Sequence, residues 1–449
     1  MRGKPDATSS EGVDPRAMGA VFEELLAPLS EAEAVLEADR CLECGGPAGA
    51  PCVAGCPADV DVPTFVAAIA AGDPGRAART IFEANVLGGT CARVCPVEEL
   101  CARECVLLHE DRAAIAIGRL QRYATEWAFD HALSPRRRPA PSGRRIAVIG
   151  AGPAGLAAAG ELAALGHEVA IYDMHDEPGG LVRYAIAPYR QQNEPLPDEV
   201  LMLADLGVSF RLSTTVDEIL LDELRDASDA IVLAVGMGGD SDVPYPGDEL
   251  DGVWDSLEFI AALKTGEEIE PGSSAIVVGG GNTAIDCAIE LKRLGAETVT
   301  MLYRRTEAEM PAYRHEVELA RSEGVSFEWL AAPVRFLGDG RVHAVEALRM
   351  ELGPPDASGR RRPVELPGSE FVLLADTVVK AIGQRPRDAF LALLPGLERD
   401  GGRILIDPDG RTTVPHVYSA GDAVNGGATV VEAVRVAKRV AHAVHEELS

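Results

Sequence analysis

The chain has 449 residues, a length for roughly two to four domains with buried cores. Hydrophobic residues make up 47% and charged residues 25%, a globular balance, and no uninterrupted apolar run reaches the roughly 18 residues that a membrane span needs. A formal net charge of −29 excludes general affinity for nucleic acid or for an anionic membrane.

Met1 to Glu11 is polar and lacks an apolar signal core, so the expected location is cytoplasmic. From Val21 to Asp130 the pattern is helical, with Ala-rich amphipathic stretches at Pro63–Ala71 and Arg76–Ala84. Eight of the nine cysteines fall here: Cys41, Cys44, Cys52 and Cys56, then Cys91, Cys95, Cys101 and Cys105. Disulfides fit poorly, because the count is odd and the cysteines are crowded into one region. One tetrahedral zinc on Cys41, Cys44, Cys52 and Cys56 is the plain alternative. Proline follows both Cys56 and Cys95, as in bacterial ferredoxins, where the cysteine before proline serves the other cluster. Iron–sulfur ligation is the stronger reading. Cys287 stands alone on a predicted helix and reads as a small core residue.

Ser134 to Arg144, SPRRRPAPSGR, is the clearest boundary in the chain and reads as a solvated tether, with contact to a partner or a neighbouring domain as the alternative. Beyond it strands alternate with helices, the pattern of doubly wound sheets, and two such units recur. In the first, Ile146–Ile149 leads into Gly150, Gly152 and Gly155, spaced as G-x-G-x-x-G. These glycines permit a tight turn, close approach of a pyrophosphate, and helix-on-strand packing. The next strand, Val169–Tyr172, ends in Asp173, placed to accept a hydrogen bond from a ribose hydroxyl. In the second unit, Ala275–Val278 leads into Gly279, Gly281, Asn282, Thr283 and Ala284, a G-x-G-x-x-A variant. Its second strand, Val299–Tyr303, ends without an acid and runs into Arg304 and Arg305. A carboxylate there would repel a 2′-phosphate, whereas guanidiniums bind one, so NADPH is expected over NADH.

Near the C-terminus, Val417–Asp422 reads as a strand closing on a Gly421-Asp422 turn, followed by a helix from Thr429 to His445. This resembles the second FAD-contacting segment of two-dinucleotide-domain flavoprotein reductases. The resemblance gives FAD to the first fold and NADPH to the second. It also implies that the NADPH domain is inserted in the FAD domain, with Ile231–Gly236 and Val378–Gly383 as the crossings.

With Gly179-Gly180-Leu181, Tyr189-Arg190, GGGNTAIDC, YRR followed by Glu309-Met310-Pro311, and AGDAVNGGATVVEAV added, the chain from Cys41 onward resembles the glutamate synthase small-subunit family. That family is similar to the FAD- and NADPH-binding part of dihydropyrimidine dehydrogenase and to electron-bifurcating transhydrogenase subunits. The resemblance implies two [4Fe–4S] clusters. Cys56, Cys95, Cys101 and Cys105 would hold one. Cys41, Cys44 and Cys52 would hold the other, with Gln121 as fourth ligand and Cys91 spare; an all-cysteine cluster that recruits Cys91 is the alternative. Gly180, Leu181, Arg190 and Val216 map to positions that line FAD, and Ala381, Ile382 and Gly383 map near the nicotinamide nucleotide. Two features depart from the family: seven residues separate Cys44 from Cys52, and Ala185 and Ala187 replace Gly and Pro.

The expected architecture is a helical double-cluster domain (1–133), a linker (134–144), a first FAD segment (145–245), an inserted NADPH domain (246–375) and a second FAD segment (376–449). The expected function is electron input from NADPH through FAD and iron–sulfur clusters to a partner, with no side chain assigned to acid–base catalysis. His167, His175 and His315 read as surface or supporting residues. The partner would be a catalytic large subunit, of the glutamate synthase or the pyrimidine-reducing kind, or a ferredoxin, and the protein would be an oligomer. Gln121 and Cys91–Pro96 lean toward the pyrimidine-reducing branch. The longer stretch Met350–Phe371 leans toward glutamate synthase small chains, and that branch is preferred. A stand-alone diaphorase and a non-catalytic zinc-bearing assembly subunit are the other readings.

Overall fold

The computed structural model describes residues 23–45, 49–241, 243–355 and 359–449. The expectation drawn from Met1 to Glu11 lies outside the described residues, as does the middle of Met350–Phe371. The chain divides into two units: Leu26–Ile186, Asn193–Gly239 and Gln384–Ser449 form one; Ala187–Gln192 and Asp240–Gly383, with residues 23–25, form the other.

The larger unit begins with short helices whose starts are set by side-chain caps. Ser30 and Glu33 form a capping box at Glu31–Ala38; Asp61 and Asp73 cap Val62–Ala70 and Pro74–Ala84, each with proline in the first turn. Gly88–Val94 and Ile117–Asp130 complete the helical module. A parallel sheet follows, built from β1 (Arg145–Ile149), β2 (Glu168–Tyr172), β3 (Ser209–Arg211), β4 (Ala230–Leu233) and the late strand Val417–Ser419. Its spatial order is Val417–Ser419, β4, β1, β2, β3. Helix Pro153–Ala164 is buried nearly all round, between this sheet and the C-terminal helix Val430–Leu448. Phe65 and Leu120 of the helical module share one apolar core with Ile146, Leu156 and Val434. Lys438 of the C-terminal helix adds a polar pin, its Nζ donating to Ala58 O and Ala84 O, each at 2.8 Å.

The linker is exposed along most of its length but is not a free tether. Arg136 donates to Phe82 O at 3.0 Å and pairs with the buried Glu161 at 2.8 Å, so the sequence expectation is corrected. A guanidinium that finds buried acceptors stops being a surface charge, and composition does not report whether acceptors are in reach.

The second unit repeats the plan with β5 (Val253–Asp255), β6 (Ser274–Val278), β7 (Thr298–Tyr303) and β8 (Val325–Trp329). Between them and the closing strand stands an antiparallel insertion that the sequence reading did not contain: β9 (Ala331–Asp339), β10 (Arg341–Pro355), β11 (Arg361–Glu365) and β12 (Phe371–Leu374). The closing strand β13 (Thr377–Lys380) lies between β5 and β6 in a sheet ordered β5, β13, β6, β7, β8. This corrects the expected boundary at residue 376, because β13 belongs to the second sheet and the unit runs from Asp240 to Gly383. An apolar run buried on both faces fits the middle of either sheet, and only its pairing partner decides. Among the described residues, no helix is long and apolar enough to cross a membrane.

Candidate functional site

The carboxyl edge of the first sheet gathers most of its predicted residues. Gly150 turns at φ +108°, and a β-carbon there would meet Ala234 O at 2.3 Å. A β-carbon on Gly155 would lie 1.9 Å from Gly150 O, which explains the close helix–strand packing. Gly152, by contrast, has ordinary dihedrals and faces open space, with Gly180 Cα the nearest atom at 3.9 Å. That open cradle at a helix N-terminus fits a pyrophosphate. The Gly179-Gly180 turn ahead of Leu181 closes on the same loop through Gly179 N–H to Ala151 O at 2.8 Å. Gly421 packs there too, its missing β-carbon position 2.7 Å from Ala154 Cβ. Asp422 is half-buried and accepts from Ala428 N–H at 3.2 Å; burial pushes its carboxyl up. Thr429 caps the C-terminal helix by accepting from Glu432 N–H at 3.2 Å.

A cleft of about 700 Å³ opens along this edge, lined by Gly150, Asp173, His175, Val216, Arg387 and Phe390 among others. Asp173 accepts from Ala151 N–H at 2.7 Å, and from the His175 amide and ring, each at 2.9 Å. Burial opposes its charge, but these hydrogen bonds outweigh burial and hold the carboxyl below its usual range. Sequence reasoning missed Arg387, which donates to Val235 O and Met237 O at 2.9 and 3.1 Å. Only the return of the chain after Gly383 brings it to the cleft, so no local pattern marks it.

Arg190 is not among the cleft-lining residues. It lies in the second unit, bonded to Asp286 at 2.7 Å and to both oxygens of Glu316 at 2.7 and 2.5 Å. Buried acids on two helices claim all three of its guanidinium nitrogens.

The cysteines stand around two pockets. Cys41, Cys44, Cys52 and Cys105 line one; Cys56, Cys91, Cys95 and Cys101, with Gln121, line the other. This corrects the expected partition, in which Cys105 and Gln121 were exchanged. The reason is local. Cys52–Cys56 and Cys101–Cys105 each place their two cysteines at different pockets, whereas Cys41–Cys44 and Cys91–Cys95 each keep theirs at one. Gln121 is buried and its Nε2 donates to Gly88 O at 2.7 Å, leaving the amide oxygen as the end available to the pocket. Burial pushes Cys52 up to about 11 and Cys101 up to about 12, so thiolates in these walls require a cationic partner. Among the described residues, no three His, Cys, Asp or Glu side chains form a group suited to a single metal ion. Cys287 is fully buried in the core of the second unit.

At the second fold, Gly279 turns at φ +147°, with Ala381 O only 2.2 Å from a β-carbon position, so Ala381, Ile382 and Gly383 adjoin the fingerprint loop. Gly281 has nothing within 4 Å of its β-carbon position, a second open cradle at a helix start that continues through Thr283 and Ala284. Asn282 instead accepts from Tyr313 N–H at 3.0 Å. The two arginines part company. Arg304 is exposed, whereas Arg305 is buried and donates to Arg361 O at 2.8 Å. The expected pair thus presents one exposed guanidinium and one buried one, in the bend that follows the strand.

Two parallel dinucleotide folds, one carrying a cysteine-rich helical module, define the class: a two-domain pyridine-nucleotide flavoprotein with a metallocluster domain. Residues 144–439 match the family described as pyridine nucleotide-disulphide oxidoreductase, and residues 18–133 match dihydropyrimidine dehydrogenase domain II, 4Fe-4S cluster. The glutamate synthase [NADPH] small chain of Escherichia coli K12 is 35% identical over 440 residues, covering 94% of this chain and 92% of that protein. Its counterpart from Azospirillum brasilense is 36% identical over 441 residues, covering 94% and 91%. The chain belongs to the glutamate synthase small-chain family of pyridine nucleotide-disulphide oxidoreductases. Mycobacterium tuberculosis FprA in complex with NADPH shares the fold, with a TM-score of 0.57 at 21% identity over 68% of this chain and 84% of that one.

Proposed function

We propose that this chain is the electron-input subunit of an NADPH-dependent oxidoreductase, holding FAD in the first fold, NADPH in the second and two [4Fe–4S] clusters in the cysteine pockets. The observation that carries the reading is Val431. It lines the Cys56/Cys95/Cys101 pocket and sits in the first turn of the helix that starts at the Gly421–Thr429 segment of the first fold. One helix start therefore serves the flavin cradle and a cluster pocket together. When bound, FAD accepts electrons in pairs and releases them singly, which makes it the adapter between NADPH and iron–sulfur centres.

The chain's own residues bind and orient. Gly150, Gly152 and Gly155 admit the FAD pyrophosphate to a helix N-terminus, Asp173 accepts from a ribose hydroxyl, and Asp422 faces the flavin side. Gly279, Gly281 and Asn282 form the NADPH cradle, and Arg304 takes the 2′-phosphate. Cys41, Cys44, Cys52 and Cys105 hold one cluster; Cys56, Cys95, Cys101 and Gln121 hold the other. A glutamine oxygen donates less charge than a thiolate and sets the second cluster's potential apart. The electrons leave to a larger catalytic subunit of the glutamate synthase type, in the cytoplasm. Anaerobic purification with flavin and iron analysis, then NADPH titration, tests the reading. Flavin and cluster absorbance bleached by NADPH is expected; a protein without iron or flavin, or one unchanged by NADPH, defeats it.

A further inference from the structure

We propose that the surface over the Cys41/Cys44/Cys52/Cys105 pocket is the docking face for an electron-accepting protein with a basic rim. This rests on the proposed electron-input function and adds the exit and the chemistry of the partner. The two pockets differ in the burial of their cysteines: Cys41, Cys44 and Cys52 are half-buried and Cys105 buried at one, whereas Cys91 and Cys101 are both buried beside Cys56 and Cys95 at the other, which Gln121 and Val431 also line. Leu42, which lines the first of these pockets between Cys41 and Cys44, is 53% exposed. Leu108 is 45% exposed, and its N–H donates to Cys105 O at 3.1 Å, so it stands beside the same pocket. The exposed part of a large apolar side chain gains nothing for folding and gains by burial on a partner.

Around these leucines the rim is acidic: Glu43, Glu104, Glu110 and Asp111 are exposed. Arg103 pairs with Glu99 and Glu104 at 3.7 and 3.9 Å and Arg112 with Glu110 at 3.2 Å, so these two cations offset part of the rim's charge and Glu43 and Asp111 keep the balance negative. An apolar centre within a charged ring is the anatomy of a protein interface, and the sign of the ring selects a basic partner. Electron transfer falls steeply with distance, so the acceptor belongs over the cluster nearest the surface.

The test uses the anaerobically purified holoprotein with oxidised cytochrome c as a basic protein probe and ferricyanide as a small acceptor. Calorimetry should find cytochrome c binding that weakens at least tenfold with the double change Glu110→Lys/Asp111→Lys, and several-fold with Leu108→Ala. Raising salt from about 10 to about 150 mM should weaken it likewise, since charges beyond about 8 Å are then screened. Cluster EPR spectra and ferricyanide reduction should change less than twofold. The same charge reversal at Glu223 and Asp226, on helix Glu218–Ala227 and away from both pockets, should matter far less. Equal losses at both sites, or full binding by the pocket-side variants, would overturn the docking face. Missing clusters, or flavin that NADPH does not bleach, would instead strike the function beneath it.

Discussion

Two glycines of the first fingerprint make different demands. Gly155 is required by the fold, since any side chain there overlaps Gly150 O. Gly152 is required only by a ligand, because its φ of −74° suits any residue and its β-carbon would meet open space. Gly155→Ala should therefore lower the Tm of the flavin-free protein, read by scanning fluorimetry. Gly152→Ala should leave that Tm within about 1 °C while weakening FAD binding at least tenfold, about 1.4 kcal/mol by titration. The arginines separate in the same way. Arg304→Ala should raise KM for NADPH roughly 10- to 100-fold, the loss of a charge-assisted contact of about 1.5–3 kcal/mol, with KM for NADH changed less than twofold. Arg305→Ala should act on stability instead, because its guanidinium serves Arg361 O. Steady-state kinetics with both nucleotides checks the pair.

Among the elements, two of the three Cys-x-x-x-Cys segments, Cys52–Cys56 and Cys101–Cys105, divide their ends between the pockets, and they were the part least legible in sequence. Spacing marked the cysteines as expected ligands; it did not show which pocket each reaches, because a turn can point its ends together or apart. Cys105→Ser should erase the same EPR signal as Cys41→Ser, and Cys101→Ser the other; a signal shared by Cys105→Ser and Cys101→Ser would restore the partition expected from sequence. The fingerprint turns were fully legible, since strand, glycine spacing and helix are local. The antiparallel insertion was not, since its pairing is non-local. Buried charge was equally invisible. Glu290 on helix Asn282–Arg293 accepts from Tyr189 N–H at 3.3 Å, and its Oε2 has no hydrogen-bond partner among the described residues. Burial raises its carboxyl from 4.5 to about 8. Between those values the folded state keeps a proton that the unfolded state has lost, so this contribution is whole below 4.5 and lost as pH rises through about 8. Glu290→Gln should flatten the fall of Tm across that window by roughly 2–4 °C for each kcal/mol involved, measured by thermal melts at a series of pH values.

For the molecule as a whole, the division into units assigns each cofactor a structural dependent. The helical cysteine module and the first sheet share one core, pinned by Lys438 and by Arg136. The second sheet has a core of its own. A ligand stabilises the unit whose folded form binds it, by RT ln(1 + [L]/Kd), so FAD should stabilise the cysteine module along with the first sheet while NADP⁺ stabilises the second unit. Hydrogen exchange on holoprotein, on protein stripped of FAD and on protein saturated with NADP⁺ makes the dependence visible. Removing FAD should speed exchange in Arg145–Ile149, in Val430–Leu448 and in the helices around the cysteines, and should leave Ser274–Val278 within experimental scatter. NADP⁺ should slow exchange at Ser274–Val278 and Asn282–Arg293 alone. If stripping FAD left the cysteine module protected while the first sheet loosened, the shared core would not be the link between them, and the C-terminal helix would lose its place as the element joining flavin cradle to cluster pocket.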